Sequence, residues 1–392
     1  MVIDSVKKNK LKTSMPTRRA VFVTMGIFPG NPTRAATEVR ARQNLLALRA
    51  LGYETTVITM PDPHQRSVEG PVVWLEPKIV SPFIHFFLNF SCRRKIRRTI
   101  ARQAVDNSTV ILCEHWAAML CCPTHPRVVY SFHDFESRLT VERRKRKGTP
   151  VSIKSRVYWW AAERLERWMI KQATRVLSVS ASEAEKLRTE WGADAIYIPT
   201  VPEETPAAVE SVNTGPLRLW IYGSSAATSN KIVLDHLANG LFDKLKAALP
   251  TAEFHQAGKF DTYDADKIEW LKRNFQVHGF IADLGKIFQT GDICLIPYEK
   301  DTGFRTKIPE ACGYGMIPAG YTLSFACCPE MRDGENCVMA ANPEDLARKL
   351  AEVAASVELR RKLAHGARET FLRDFSPANL RERYRRALDF SS

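Results

Sequence analysis

Short apolar runs alternate with amphipathic stretches along the whole chain. Residues 19–24 and 55–59 are apolar runs of strand length, and the stretch between them, about 37–51, carries leucines at helical spacing. The alternation continues to residue 198, stops, and begins again at residue 217. Strands that alternate with helices predict an α/β protein with parallel, doubly wound sheets. Because the series occurs twice, we expect two Rossmann-like domains that face each other across a cleft.

A stretch rich in proline, glutamate and alanine, residues 201–216, separates the two series. We therefore expect a first domain over residues 19–205 and a second domain over residues 206–375. A basic, polar tail over residues 1–18 precedes the first domain and lacks the apolar core of a secretory signal.

The stretch with the most informative chemistry is residues 303–315. A glycine there follows a strand-like apolar run and introduces a short helix, whose first turn carries Arg305, Thr306 and Lys307. A helix start offers unpaired backbone N–H groups, and with two cationic side chains it suits a phosphate. Glu310 lies one turn further on, where a carboxylate can accept hydrogen bonds from ribose hydroxyls. These residues predict a site for a sugar-nucleotide or dinucleotide diphosphate.

The composition is that of a globular protein, since 45% of the 392 residues are hydrophobic. The longest apolar run, residues 79–90, is interrupted by Pro82 and is shorter than the roughly 20 residues that a membrane span needs. Nine cysteines without a Cys-x-x-Cys spacing predict neither a disulfide framework nor a zinc site. We therefore expect a reducing, cytoplasmic compartment.

Positive charge is concentrated in the first half of the chain. Residues 1–200 contain 33 Lys and Arg against 17 Asp and Glu, whereas residues 201–392 contain 24 and 26. The first half therefore carries a net charge of +16 and the second a net charge of −2. This excess indicates an anionic partner, either a nucleic acid or an anionic membrane surface.

Aromatic residues adjoin cationic ones at two places in the first half. Residues 83–90 are rich in phenylalanine and precede a basic run at 93–98, and a second basic run at 143–147 precedes Trp159 and Trp160. Such pairs suit a lipid headgroup interface, although a core helix with a solvated basic face is the alternative interpretation. Together with the net charge, they predict peripheral association with the inner, cytoplasmic face of a membrane.

Six motifs of the second half follow one another in a familiar order. They are residues 219–223, 256–258, 277–280, 291–297, 303–315 and 329–338. In these motifs the second half resembles the nucleotide-binding domain of GT-B glycosyltransferases, specifically those of family 4. The first half is similar to the family more loosely. Residues 376–392 resemble the family's C-terminal helix, which crosses back onto the first domain.

The resemblance implies a hexosyltransferase-type enzyme that moves a sugar from a UDP- or GDP-sugar to a lipid-linked or glycan acceptor in polysaccharide or glycoconjugate synthesis, with retention at the anomeric carbon. It implies three groups of donor-binding residues. These are Gly223, Lys231, Gly303, Phe304, Arg305, Thr306 and Lys307 for the diphosphate, Glu310 for the ribose, and Lys259, Gly279 and Phe280 on the nucleobase side. No Asp-x-Asp pair lies where this loop would use it, and we expect neither a metal nor a cofactor besides the donor.

Two departures from the family pattern identify a divergent member. The family commonly carries two glutamates eight positions apart, and Thr302 occupies the position of the first, which often supports the reacting sugar. Backbone amides near Gly303, or Glu299, are the candidates to replace it. In the loop after Gly223, Lys231 is present, but serine and threonine occupy the position of the usual arginine.

Polar residues also follow the predicted strands of the first half. His133 and Asp134 come after the apolar run 128–130, where a histidine of similar enzymes contacts the transferred sugar or the acceptor. The alternatives are a structural, hydrogen-bonded histidine, or an inverting mechanism in which His133 or Asp134 acts as base. Glu114, next to His115, is a second candidate. Gly30, Arg40 and Glu114 are the residues expected on the acceptor side.

Two functions of other classes compete with a transferase. A basic nucleic-acid-binding protein would explain the charge, but no recognition motif with interleaved aromatic residues supports it. A catalytically silent GT-B-like scaffold would explain Thr302. Binding of a nucleoside diphosphate distinguishes the nucleic-acid-binding protein from the transferase and the scaffold. Sugar transfer or donor hydrolysis distinguishes the silent scaffold from the transferase.

Overall fold

Two parallel β-sheets with helices packed on them form the protein. The structure, a computed structural model, describes residues 18–29, 36–61, 67–75, 89–135, 137, 153–207, 211–225, 227–260, 262–299, 301 and 303–390. The strands of one sheet lie within residues 19–197 and those of the other within residues 218–340. This is the two-sheet α/β architecture that the alternating pattern predicts. The domain limits at residues 205 and 375 stay a prediction.

The first sheet contains seven described strands, all parallel to their neighbours. The strands are β1 (Arg19–Thr24), β2 (Glu54–Thr59), β3 (Val72–Trp74), β4 (Val110–Glu114), β5 (Val128–Phe132), β6 (Arg175–Ser178) and β7 (Ala195–Tyr197). Their spatial order is β3-β2-β1-β4-β5-β6-β7, so the order in which successive strands are added reverses between β1 and β4. The helices are α1 (Ala36–Ala50), α2 (Phe90–Gln103), α3 (His115–Cys121), α4 (Ile153–Gln172) and α5 (Ala181–Trp191).

The second sheet contains six described strands in the order β10-β9-β8-β11-β12-β13. They are β8 (Arg218–Tyr222), β9 (Glu253–Ala257), β10 (Gln276–Val277), β11 (Ile293–Ile296), β12 (Ile317–Tyr321) and β13 (Val338–Ala340). The helices are α6 (Thr228–His236), α7 (Phe242–Ala248), α8 (Ala265–Asn274), α9 (Lys307–Gly313), α10 (Thr322–Phe325), α11 (Pro343–Ala355), α12 (Val357–Thr370) and α13 (Pro377–Ala387).

The central strands of both sheets are buried along their whole length, as in parallel sheets covered by helices on both faces. Every residue of β4, β5, β11 and β12 is buried. In such sheets, ligands bind beyond the carboxyl ends of the strands, next to the point where the strand order reverses. By this rule, a ligand site is expected at the loops after β1 and β4 in the first sheet and after β8 and β11 in the second.

The last helix, α13, joins the two halves of the chain. Tyr384 is fully buried, and its hydroxyl donates to Asn44 of α1 and accepts from Gln43 Nε2 at 3.0 Å. The preceding residue, Arg383, donates to Glu330 at 2.8 Å, and Glu330 also accepts from the Tyr197 hydroxyl of β7 at 3.2 Å. The buried contacts of α13 therefore fix the second half against the first.

No helix within the described part of the chain is both long and apolar enough to cross a membrane. The predicted aromatic segment at 83–90 and the basic run at 143–147 lie almost entirely outside the described residues. The basic run at 93–98 lies in α2, which buries Ile96 and Ile100 and exposes most of its cationic side chains.

Candidate active site

Three glycine-containing loops meet at the carboxyl edge of the second sheet. Gly223 follows β8, Gly258 follows β9 and Gly279 follows β10. Their φ angles of +115°, +113° and +66° lie in a region that residues with a side chain rarely adopt. The Gly258 N–H donates to the Gly279 carbonyl at 2.6 Å, and a Cβ on Gly258 would overlap the Gly223 backbone. The loops form a floor of backbone atoms that a ligand can approach closely.

Lys307, the first residue of α9, extends over this floor. Its Nζ donates to Asn230 Oδ1 at 2.5 Å and lies 5.5 Å from the centre of the Tyr222 ring. A Cβ on Gly223 would lie 3.3 Å from Lys307 Nζ, so the ammonium group stands directly beside the glycine. Burial lowers the pKa of Lys307, while the neighbouring Glu310 opposes this effect. A poorly hydrated ammonium group in this position has much to gain from an anionic ligand.

Arg305 is held rigidly in the same loop. Its guanidinium carbon lies 3.6 Å from the centre of the Tyr298 ring, a close cation–π contact. The ring centre of the adjacent Phe304 lies 6.5 Å from that of Tyr197 in the first sheet. Thr306 immediately precedes α9. The loop therefore brings two cations to one side of the cleft, as the sequence predicts for residues 303–307.

The predicted ribose and nucleobase residues lie around the same edge. Glu310 is half-buried and close enough to Tyr222 to contribute, after burial and Cys294, to the raised pKa of that hydroxyl. Phe280, beside Gly279, is 62% exposed. Their order along the edge is compatible with a nucleoside bound next to a diphosphate.

Among the described residues, neither Lys231 nor Lys259 makes a hydrogen bond to Lys307 or to the Gly223 loop through its ammonium group. Lys231 Nζ lies 3.5 Å from the Thr262 carbonyl and 5.8 Å from the centre of the Tyr263 ring, and Lys259 is exposed. The residue beside Lys307 is Asn230, whose amide also donates to the Ser224 carbonyl at 2.7 Å. The sequence pattern indicated Lys231 and gave no signal for Asn230, one position earlier. Asn230 faces Lys307 and Lys231 does not, because successive helical residues point about 100° apart.

At the edge of the first sheet, a buried carboxylate holds His133. Glu114 ends β4 and is fully buried. It accepts from Asn44 Nδ2 at 2.5 Å and from the Ser131 hydroxyl at 3.3 Å, and it pairs with His133 Nε2. Three partners fix the carboxylate, and the carboxylate in turn fixes the imidazole ring. Glu114 is therefore placed to orient the His133 ring, and His133 is the more exposed group of the pair.

His115 shows a strained backbone at the same edge. Its φ of +68° is the only positive value of a non-glycine residue in the described parts of the chain. Burial, with a smaller effect of His133, lowers the pKa of His115 to about 3. Its ring lies edge-on to that of His133 at 5.5 Å. Strain of this kind is often found beside functional groups, and His115 adds a neutral imidazole to the site.

The two sheet edges meet at Gly303. Asp134, the residue after His133, lies so close that a Cβ on Gly303 would overlap its Oδ1. From the same side, Glu183 accepts a hydrogen bond from the Gly303 N–H at 3.1 Å, and Lys186 pairs with Asp301 at 2.7 Å. The two halves therefore meet here, with Asp134 from one half beside the cationic loop of the other.

Arg40 occupies a different place from the one expected. Arg40 was predicted to lie on the acceptor side, but its side chain is only 1% exposed. Its guanidinium group donates to the Ile198 carbonyl at 2.8 Å and to the Ser131 hydroxyl at 3.4 Å. Because backbone carbonyls at the ends of the strands need donors, the structure gives Arg40 a buried structural position. Gly30 and Thr302 lie outside the described residues.

Two protein-family models match the chain in succession. The model "Glycosyltransferase Family 4" matches residues 37–202, and "Glycosyl transferases group 1" matches residues 208–356. The chain is a glycosyltransferase whose two halves match these two family models in turn. The family resemblance and the fold expected from the sequence are therefore confirmed. No curated protein sequence matches this glycosyltransferase.

Solved structures of glycosyltransferases share the fold at low sequence identity. Sucrose-phosphate synthase from Thermosynechococcus elongatus is 14% identical, with 94% of this chain and 98% of that chain covered and a TM-score of 0.66. Anabaena HepE, in complex with UDP, is 12% identical over 94% and 99% of the two chains, with a TM-score of 0.64. A mutant of S. aureus TarM, in complex with fondaparinux, α-GlcNAc-glycerol and UDP, is 9% identical over 95% and 100%, with a TM-score of 0.64.

Proposed function

We propose that this glycosyltransferase moves a hexose from a UDP- or GDP-sugar to a lipid-linked or glycan acceptor across the cleft. The observation that carries the proposal is the position of Lys307 Nζ beside Gly223, with Arg305 in the same loop. Two cations above a floor of glycine backbone suit a diphosphate. Similar structures of HepE and TarM contain UDP, which supports a nucleoside diphosphate as the ligand.

The chemical task of these groups is to stabilise the leaving diphosphate. As the bond between sugar and phosphate breaks, negative charge develops on the phosphate oxygens, and fixed cations stabilise that charge without reorganising. Arg305 and Lys307 are fixed by Tyr298 and Asn230 respectively. We propose that they provide this charge without a metal ion. Transfer at an unchanged rate after treatment with a chelator is the expected result, and loss that magnesium restores would contradict it.

Retention of configuration is the proposed stereochemical course, with the leaving diphosphate helping to deprotonate the acceptor on the same face. The His133–Glu114 pair supports one alternative, because a carboxylate that orients an imidazole is a common arrangement for a general base. That arrangement would serve an inverting enzyme. Proton NMR of the anomeric coupling in the product distinguishes the two: the donor configuration supports retention, and the opposite configuration supports a base.

Calorimetry with UDP, GDP and ADP, followed by a donor panel, tests the function itself. A transferase binds one nucleoside diphosphate and releases it from the matching nucleotide sugar. Binding without transfer or hydrolysis would indicate a silent scaffold, and no binding combined with affinity for nucleic acid would overturn the proposal.

Substitution of Gly223 by alanine is expected to weaken nucleotide binding about tenfold or more. The new Cβ would lie 2.6 Å from Asn230 Nδ2, so the Asn230–Lys307 pair would have to move. The positive φ adds strain of about 1–2 kcal/mol. Gly334→Ala is the matched control, because Gly334 has a φ of +74° but no atom within 4 Å of the added Cβ. Equal affinities of the two variants for UDP or GDP in calorimetry would contradict this prediction.

We also propose that the first half lies on an anionic membrane, where a polyprenyl-diphosphate-linked acceptor resides. Helices α2 and α4 both pack against α3. On α2, Arg94, Lys95, Arg97 and Arg98 are exposed. On α4, large apolar residues are exposed at the spacing of a single helix face, namely Ile153, Val157, Trp160 and Trp168. Cations beside an exposed aromatic stripe suit lipid headgroups and the acyl boundary beneath them.

Trp160→Ser is expected to reduce sedimentation with vesicles that contain anionic phospholipid, at low salt. The indole ring is 56% exposed, so its loss removes a membrane anchor without opening the core. Leu323→Ser is the control, since this residue is 49% exposed but belongs to the second half. Failure of the unaltered protein to bind such vesicles would refute the membrane proposal.

A further inference from the structure

Glu183 is a buried acid that the proposed chemistry does not use. It is the third residue of α5, and its backbone N–H donates to the Ser180 hydroxyl at 3.4 Å, which caps the helix. The cap explains the position of the backbone. It does not explain the side chain, which is 1% exposed although carboxyl groups are rarely buried without a partner.

The side chain of Glu183 contacts the opposite half of the chain. Its Oε1 accepts the Gly303 N–H at 3.1 Å, while Oε2 is buried and has no hydrogen-bond partner among the described residues. Around it, the start of α5 makes three further contacts with the second half, one of which is the hydrogen bond that the Ser182 hydroxyl donates to Asp301. Ala181 N donates to the Cys327 carbonyl at 3.0 Å, and Asp301 pairs with Lys186 at 2.7 Å.

Four titratable groups face the Glu183 carboxyl. They are Asp134 after β5, Lys186 on the same helix, Asp301 on the donor loop, and Cys327 after α10. Burial raises the pKa of Glu183 well above its ordinary value, and the negative charges of Asp134 and Asp301 raise it further. The Gly303 N–H and Lys186 act in the opposite direction without cancelling the effect. The geometry therefore suits an uncharged carboxylic acid.

We propose that Glu183 is a positioning residue for transfer, which holds Gly303 and the cationic loop after it against the first half of the chain. One oxygen accepts the Gly303 N–H. The other carries the proton and is free to donate to Asp134 or to a hydroxyl of the bound sugar. The inference rests on the proposed function, because the position of this loop matters for turnover only if the loop binds the donor.

The position predicts a pH dependence with a definite sign. Because burial and the carboxylates of Asp134 and Asp301 raise the pKa of Glu183, the packed arrangement of the loop is most stable when the acid is neutral and loses stability as the pH rises from the ordinary value of a glutamate toward that raised pKa. Above it, the ionised side chain would face the carboxylates of Asp134 and Asp301. Turnover should therefore decline on the alkaline side through loosening of the loop.

Glu183→Gln and Glu183→Ala test the proposal. Glutamine retains an acceptor and a donor at a similar size, so it should keep most of the turnover at neutral pH and remove the alkaline decline due to Glu183. Alanine should lower kcat about tenfold or more, the effect of losing a buried hydrogen bond, with a much smaller change in the Kd for UDP or GDP. Glu185→Gln, an exposed neighbour on α5, is the control.

Hydrogen–deuterium exchange of the peptide containing residues 303–310 gives an independent readout in the absence of nucleotide. Faster exchange in Glu183→Ala than in Glu183→Gln supports the contact. Equal exchange and equal kcat in these two variants would overturn it, even where the unaltered protein binds nucleotide normally. Absence of nucleotide binding in the unaltered protein would instead refute the proposed function, and the exchange comparison would still decide whether Glu183 holds the loop.

Discussion

Replacing His133 with alanine is expected to lower turnover about a hundredfold or more while leaving the affinity for the nucleoside diphosphate nearly unchanged. His133 lies after β5 and is paired with the fully buried Glu114, on the opposite side of the cleft from the glycine floor. It is therefore placed to act on the sugar or the acceptor and not on the diphosphate. The measurement is steady-state kinetics together with calorimetry of UDP or GDP binding.

His125→Ala is the matched control for this experiment. His125 precedes β5, at the other end of the same strand, where it contacts the Asp106 carbonyl at 3.0 Å. Its replacement should leave both turnover and affinity close to their original values. Wild-type turnover in His133→Ala, or a loss of nucleotide affinity as large as the loss of turnover, would contradict the assigned position.

Replacing Lys307 with alanine is the second substitution with a large expected effect, a loss of affinity for the nucleoside diphosphate. A charge-assisted hydrogen bond contributes about 1.5–3 kcal/mol, so the Kd for the nucleoside diphosphate should rise about 10- to 150-fold. The variant also leaves Asn230 without its lysine partner, next to Gly223. Because burial already lowers the pKa of Lys307, the anionic ligand gains a poorly hydrated cation in the unaltered protein.

Two further lysines make this prediction specific. Lys231→Ala should change the affinity much less, since the Lys231 ammonium group is directed toward Thr262 and Tyr263. Lys272→Ala on α8 removes an exposed lysine that pairs with Glu269 and should have no effect. An affinity that is unchanged in Lys307→Ala, or lowered equally in all three variants, would contradict the assignment of the diphosphate site to residues 303–310.

The fold and the position of the cationic loop at residues 303–307 could be predicted from the sequence, because both depend on local patterns. Strand β1 begins and ends where the apolar run 19–24 predicts. A short helix follows Gly303 as expected, but it begins at Lys307 and leaves Arg305 and Thr306 in the loop before it. The phosphate-binding interpretation of Arg305 and Lys307 required only their spacing after Gly303. Local order of this kind is determined by residues a few positions apart, which a sequence displays directly.

The remaining part of the site depends on contacts between distant residues. Glu183 and Gly303 are 120 positions apart, and nothing near either residue indicates that a buried acid meets a backbone amide there. Arg40 was expected on the acceptor side and is buried, where its guanidinium group donates hydrogen bonds to the Ile198 carbonyl and the Ser131 hydroxyl. Such pairings arise from the way the two sheets are brought together, which no local pattern specifies.

The central claim is that a nucleoside diphosphate binds on the glycine floor under Lys307. Hydrogen–deuterium exchange of the unaltered protein, with and without saturating UDP or GDP, tests it most directly. We predict slower exchange with nucleotide in peptides that contain residues 223–225 and 303–310, and little change in the helices α2 and α4 of the first half. Nucleotide binding accompanied by protection elsewhere, with these two segments unaffected, would contradict the claim.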